Sequence, residues 1–117
     1  RMINQLRVYR IDPAAREAFH ARFRDHAARL MRALDFRIVA MWEEDRRPRG
    51  EDELNFVYLL AWKDEAEMQA KWAAFMAQEE WAEIKRRTSA EHGPMVLGNF
   101  DRTLHPVDYS AAVEPRS

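Results

Sequence analysis

The chain has 117 residues, 47% apolar and 33% charged, with a formal charge of -1 and a pI near 6.5. That length suits one domain with a real core, and the balanced charge offers nothing to steer the whole molecule toward nucleic-acid backbones or anionic membranes. The absence of cysteine removes disulfides, thiolate nucleophiles and cysteine-based metal sites and fits a reducing, cytoplasmic setting.

No run of about 18 apolar residues is available for a spanning helix, and the opening RMINQLRVYR lacks the apolar centre of a signal peptide. Sixteen arginines against three lysines, with abundant alanine, point to a GC-rich bacterial source.

INQLRVYRI (3–11) alternates like a strand, with Leu6 and Val8 on one face and Gln5, Arg7 and Tyr9 on the other. Asp12-Pro13 supplies an N-cap followed by proline at the first helical position. Phe19, Phe23, Ala27, Leu30 and Leu34 then recur at helical spacing over 13–34, with His26 and Met31 on the same stripe.

FRIVAMWEE (36–44) is strand-like and apolar at both parities, with Phe36, Ile38, Ala40 and Trp42 sharing one side. EEDRRPRGEDE (43–53) reads as a hairpin loop around Pro48 and Gly50. LNFVYLLAW (54–62) is again apolar at both parities, the mark of a strand covered on both faces, and its expected partner is the preceding strand, antiparallel.

Asp64 and Glu67 form an Asp variant of the capping box, opening a helix to about 77 on Met68, Trp72, Phe75 and Met76. A further helical segment over 78–93 turns Trp81 and Ile84 inward and stops at Gly93-Pro94. MVLGNFDRTL (95–104) forms a weaker strand, followed by a tail that frays at its end.

The order is βαββαβ: an α+β, ferredoxin-like fold with a four-stranded antiparallel sheet and its helices on one face. Two helices cover only one face, while the middle strands are apolar on both. An apolar face of several hundred Å² is unusual on a soluble monomer, so the expected partner is a second copy, the two sheets closing into an α+β barrel. The first strand is central in this topology, which places Gln5, Arg7 and Tyr9 at the dimer centre. There they either satisfy one another and fix dimer register, or hold an anionic or phenolic ligand.

INQLRVYRI, FHARFRDH, DFRIVAMWEE, NFVYLLAWKDEAE and LHPVDYS, in this order and spacing, resemble the NIPSNAP family of dimeric α+β barrel proteins over residues 2 to about 110. The resemblance implies one domain over 2–110 with a tail over 111–117, and kinship of fold with antibiotic-biosynthesis monooxygenases, EthD-like proteins and muconolactone isomerases. Family members usually carry Tyr-Glu-Leu-Arg where this chain has Asn4-Gln5-Leu6-Arg7, so an acid/base candidate is missing. The family supplies no accepted catalytic motif to carry over, and fold alone does not give function.

Four histidines invite a metal reading, but His20 and His26 lie about 240° apart around a helix and do not converge; no metal and no cofactor is expected. His26, on the apolar stripe, reads either as a hydrogen-bonded core residue or as a general base. Trp72, Phe75, Met68 and Met76 read as core. Trp42, Tyr58 and Trp62 are candidates to line a small-molecule cavity with Gln5, Arg7 and Tyr9, with Trp81 over its mouth. The chain has no Gly-rich phosphate loop, and the basic-Gly-aromatic pattern of an RNA-recognition strand is absent.

Two functions follow as expectations. One is a homodimer that binds a small apolar or aromatic molecule or serves as an interaction module. The other is a cofactor-independent monooxygenase or isomerase acting on an activated aromatic or polyketide-like substrate, with Arg7 stabilising an enolate or phenolate and Tyr9 or His26 moving the proton.

Overall fold

The computed structural model describes residues 1–45 and 54–115. Its strands are β1 (Ile3–Ile11), β2 (Arg37–Glu44), β3 (Leu54–Trp62) and β4 (Val96–Leu104), in the sheet order β2-β3-β1-β4 with every neighbouring pair antiparallel. β1 is therefore central, as the topology predicts. Of the hairpin loop expected over 43–53, Glu43 and Glu44 still pair in β2, opposite Phe56 and Asn55; 46–53, and the frayed end of the tail at 116–117, lie outside the described residues.

Between β1 and β2 the chain is helical almost throughout: a 3-10 turn (Pro13–Ala15), α1 (Arg16–Arg22), a π-helical turn (Phe23–Ala27) and α2 (Ala28–Ala33). The Asp12 carboxylate accepts from the Ala14 amide at 3.0 Å, so the start signal acts as the sequence implies. After β3 come α3 (Glu65–Met76) and α4 (Glu79–His92). Asp64 accepts from the Glu67 amide at 2.8 Å and the Glu67 side chain accepts from the Lys63 amide at 2.9 Å. Gly93, at φ 72°, ends α4 in the left-handed region.

All the helices lie against one face of the sheet. Phe19 and Phe23 from the first helical run and Phe75 from α3 pack onto Phe56, Tyr58, Trp62 and Phe36. The register puts Ile3, Gln5, Arg7, Tyr9 and Ile11 on that same covered face, paired with Trp62, Leu60, Tyr58, Phe56 and Leu54. The reverse face carries Leu6, Val8, Val57 and Leu59, with Trp42, Phe100 and Leu104 exposed at 49%, 49% and 43%. Among the described residues no helix covers it; the C-terminal tail touches it where Asn4 Nδ2 donates to the Val113 carbonyl at 3.1 Å.

This corrects one expectation. Gln5, Arg7 and Tyr9 do not point away from the helices toward a dimer centre; they lie between the sheet and the helices of their own chain. Alternation groups the three correctly, but both faces of β3 are apolar, so parity alone does not say which face the helices take.

Trp42 is the second correction. The register of β2 against β3 shifts between Ile38 and Ala40, so Ile38 opposes Leu60 on the covered face while Trp42 opposes Val57 on the open one. Val39 is the extra residue of a β-bulge, and from there on the strand's alternation is inverted.

Candidate functional site

Between β1, α1 and α4 the covered face leaves a cavity of about 240 Å³. Arg7 and Tyr9 form its sheet side, Phe19 and Phe23 one wall, and Trp72, Phe75 and Trp81 the other; Arg22, Lys85 and Asn99 also border it. The π-helical turn helps shape the first wall. Both Phe23, which opens the turn, and Ala27, which closes it, are buried and face the cavity. Such turns are frequent at functional sites.

Arg7 is the centre of the arrangement. Its guanidinium stacks over the Trp72 ring at 4.4 Å and lies 5.4 Å from the Tyr9 ring centroid. Nε donates to the Tyr58 hydroxyl at 3.3 Å, Nη2 donates to the Tyr9 hydroxyl at 3.1 Å, and the two hydroxyls are 2.7 Å apart. Burial pulls the Arg7 pKa down, but the Tyr9 and Tyr58 oxygens more than offset it, leaving the guanidinium above its ordinary range. Tyr58 is fully buried, and burial first, then Tyr9, pushes its phenol up. At neutral pH Arg7 is thus a cation beside a Tyr58 phenol that keeps its proton.

Gln5 braces this cluster from behind. Its Oε1 accepts from the indole N–H of Trp62 at 3.0 Å and of Trp72 at 2.7 Å, while Nε2 donates to Asp101 Oδ2 at 2.8 Å. Every polar atom of this buried amide is thus used, and the Trp72 ring is held flat under Arg7. Gln5 and Trp62 orient the wall without bordering the cavity.

At the other end Arg22 donates to Thr88 Oγ1 at 3.1 Å and lies over Trp81 at 5.6 Å, with Lys85 5.8 Å from the same ring. Burial lowers the Arg22 pKa, with Tyr9 opposing. Among the described residues the ionisable groups bordering the cavity are Arg7, Arg22, Lys85 and Tyr9; none of these is a carboxylate.

Of the residues marked in the sequence, Gln5, Arg7, Tyr9, Tyr58 and Trp62 are brought together, and Trp81 borders the cavity. Trp42 is on the opposite face. His26 is half-buried on the far side of its helix, its Nδ1 3.4 Å from Arg29 Nη2, and takes no part in the cavity. The reason is rotational: with Phe23 and Ala27 both inward, the residue just before Ala27 is turned outward. Among the described residues no group of three or more His, Asp or Glu side chains is placed to hold a metal ion, and no helix is long and apolar enough to cross a membrane.

Sequence reasoning missed Trp72, Arg22, Lys85 and Asn99. Trp72 sits at helical spacing and reads as core. Arg22 and Lys85 read as the solvated faces of amphipathic helices; the signal that marks them is spatial, both flanking Trp81.

The fold has close relatives among solved structures. An uncharacterised NIPSNAP-like domain protein from Burkholderia xenovorans superposes with a TM-score of 0.79 at 21% identity, covering 97% of this chain and 92% of that one. A NIPSNAP family protein from Agrobacterium tumefaciens gives a TM-score of 0.77 at 15% identity, covering 94% and 97%. Farther away, an antibiotic biosynthesis monooxygenase gives 0.52 at 16% identity, covering 90% and 98%; at that distance the likeness is one of fold. No curated protein matches the sequence. The NIPSNAP family model matches residues 4–111, nearly the whole chain and with it every strand of the sheet and the whole cavity, and the chain belongs to the NIPSNAP family.

Proposed function

We propose that this NIPSNAP protein binds a small apolar or aromatic molecule in the cavity between its sheet and helices, and that it pairs with a second copy through the open sheet face. The observation that carries the first part is Arg7, a half-buried guanidinium beside an aromatic-walled cavity whose described lining holds no carboxylate. A buried charge without a counter-charge is costly unless something repays it, and an aromatic-walled space with a few polar groups is the usual form of a small-molecule site. Titration with naphthalene-ring probes (2-naphthoate and 2-naphthamide), followed by the fluorescence of Trp72 and Trp81, tests it. Quenching that saturates is expected; no response from either probe up to millimolar concentration overturns the reading.

The pairing rests on Trp42, Phe100 and Leu104, large apolar side chains exposed on a face that also carries Leu6, Val57 and Leu59. Trp42→Glu places a charge in that patch. Sedimentation equilibrium is expected to show a dimer for the unsubstituted chain and a folded monomer for the variant; a monomeric unsubstituted chain refutes the pairing.

The Arg7–Tyr9–Tyr58 chain favours one second reading, a cofactor-independent oxygenase or isomerase. There Arg7 stabilises an enolate or phenolate as charge develops and Tyr9 carries the proton. Arg7→Ala separates the two readings: turnover collapses under the enzymatic one, whereas only ligand affinity and stability change under the binding one.

A further inference from the structure

The direction of the hydrogen bonds on the sheet side of the cavity narrows the ligand. The Tyr58 hydroxyl is fully buried and has two partners, Arg7 Nε and the Tyr9 hydroxyl. Arg7 can only donate, so the Tyr58 proton has one acceptor within reach, the Tyr9 oxygen. A buried hydroxyl proton left unpaired is costly, which fixes the polarity of the chain: Tyr58 donates to Tyr9.

The Tyr9 oxygen then receives two donors, Tyr58 O–H and Arg7 Nη2. Both its lone pairs are filled, and its own proton has no acceptor among the described residues. Tyr9 borders the cavity, so that proton is offered to whatever occupies it. Arg7 uses two of its five N–H donors on the tyrosines and has the others to give. What Arg7 and Tyr9 together present is donors only.

Resting on the reading that the cavity binds a small molecule, we infer that this site selects an oxyanion: an aromatic or apolar acid whose carboxylate or phenolate oxygen is received by Tyr9 O–H and the Arg7 guanidinium, with its body between Trp72, Phe75 and Phe23. An amide or alcohol brings a proton of its own to a place without an acceptor. Arg22 and Lys85 beside Trp81 add positive potential that draws an anion inward. Asn99, on the β4 side, is the bordering side chain that has an acceptor to offer, and it is exposed.

Matched probes test this on the full chain. Calorimetric titration is expected to give 2-naphthoate an affinity at least about tenfold above that of 2-naphthamide, the scale of one hydrogen bond to a charged group. Tyr9→Phe keeps the ring contacts with Phe19, Phe56 and Tyr58 and removes the hydroxyl, both the donor it turns outward and the acceptor shared by Tyr58 and Arg7. It is expected to weaken the acid by about tenfold and the amide by clearly less.

Equal affinity for acid and amide, or an equal loss of both in Tyr9→Phe, overturns the inference and leaves the cavity's role as a binding site standing. An acid preference that survives Tyr9→Phe but disappears in the Arg22→Gln, Lys85→Gln double variant also overturns it, by moving the anion to the other end. Binding of neither probe overturns the cavity reading and this inference together.

Discussion

Gln5, Arg7 and Tyr9 leave one side of β1, and Leu6 and Val8 leave the other, yet the two sides meet different surroundings. On the covered side an apolar wall of phenylalanines and tryptophans encloses a polar chain running from Asp101 through Gln5 and Trp72 to Arg7 and the tyrosines. On the open side aliphatic residues and Trp42 form a surface whose polar side chains sit near its borders: Asn55 donates to Glu44 at 2.7 Å, and Arg10 Nη2 donates to the Leu97 carbonyl at 3.3 Å. Apolar area alone does not distinguish them. The difference is what the polar groups do: on one side they are enclosed, directional and partly unspent, and on the other they fringe an exposed apolar surface.

Substitutions on the two sides sharpen that contrast. Phe19→Ala empties a fully buried position beneath α1 and is expected to cost about 3–5 kcal/mol in denaturant unfolding; a loss below about 1 kcal/mol would mean the covered side is not the core. Gln5→Leu leaves the Trp62 and Trp72 indole N–H groups without their shared acceptor. It should cost about 1–3 kcal/mol and release the Trp72 ring, visible as a changed near-ultraviolet circular dichroism.

Glu43 sits at the border of the covered side, accepting from Arg16 at 2.8 and 2.7 Å and lying 2.7 Å from His20 Nε2. These hydrogen bonds, Arg16 first and His20 second, hold its carboxyl down to about 2. A depressed folded pKa contributes stability above the unfolded value and loses it as pH falls through the folded one. Glu43→Gln should therefore flatten the stability profile between about pH 4.3 and pH 2, by less than about 1 kcal/mol because the pair is partly exposed. Smallest of all, Trp42→Ser on the open side should leave the stability of dilute, monomeric protein within about 0.5 kcal/mol of the original. A loss comparable to that of Phe19→Ala would erase the distinction between the two sides.

The strand order, the helices and the grouping of Gln5 with Arg7 and Tyr9 were legible because each rests on a local rule: alternation, helical spacing, or a cap such as Asp12 or Asp64. The side of the sheet was not, because β3 is apolar at both parities and nothing local tells which face two helices will choose. Trp42 was misplaced by a single inserted residue that no propensity marks. His26 was drawn toward the cavity by an ideal helical period that the π-helical turn does not keep. The cavity's cations, Arg22 and Lys85, looked like solvated helix faces because their neighbour Trp81 is distant from Arg22 in sequence.

The bulge at Val39 divides β2 into two pieces with separate allegiances. Before it, Ile38 belongs to the interior; after it, Ala40 and Trp42 belong to the outward surface. Pairing Val39 regularly, so that no residue is left over, would restore strict alternation through the same letters and exchange the two memberships, sending Trp42 against the helices and Met41 outward. A relative of equal strand length but without the bulge would thus offer a different outward surface from nearly the same letters, so alignments through this strand should be anchored on Phe36 and Ile38 separately from Ala40 and Trp42.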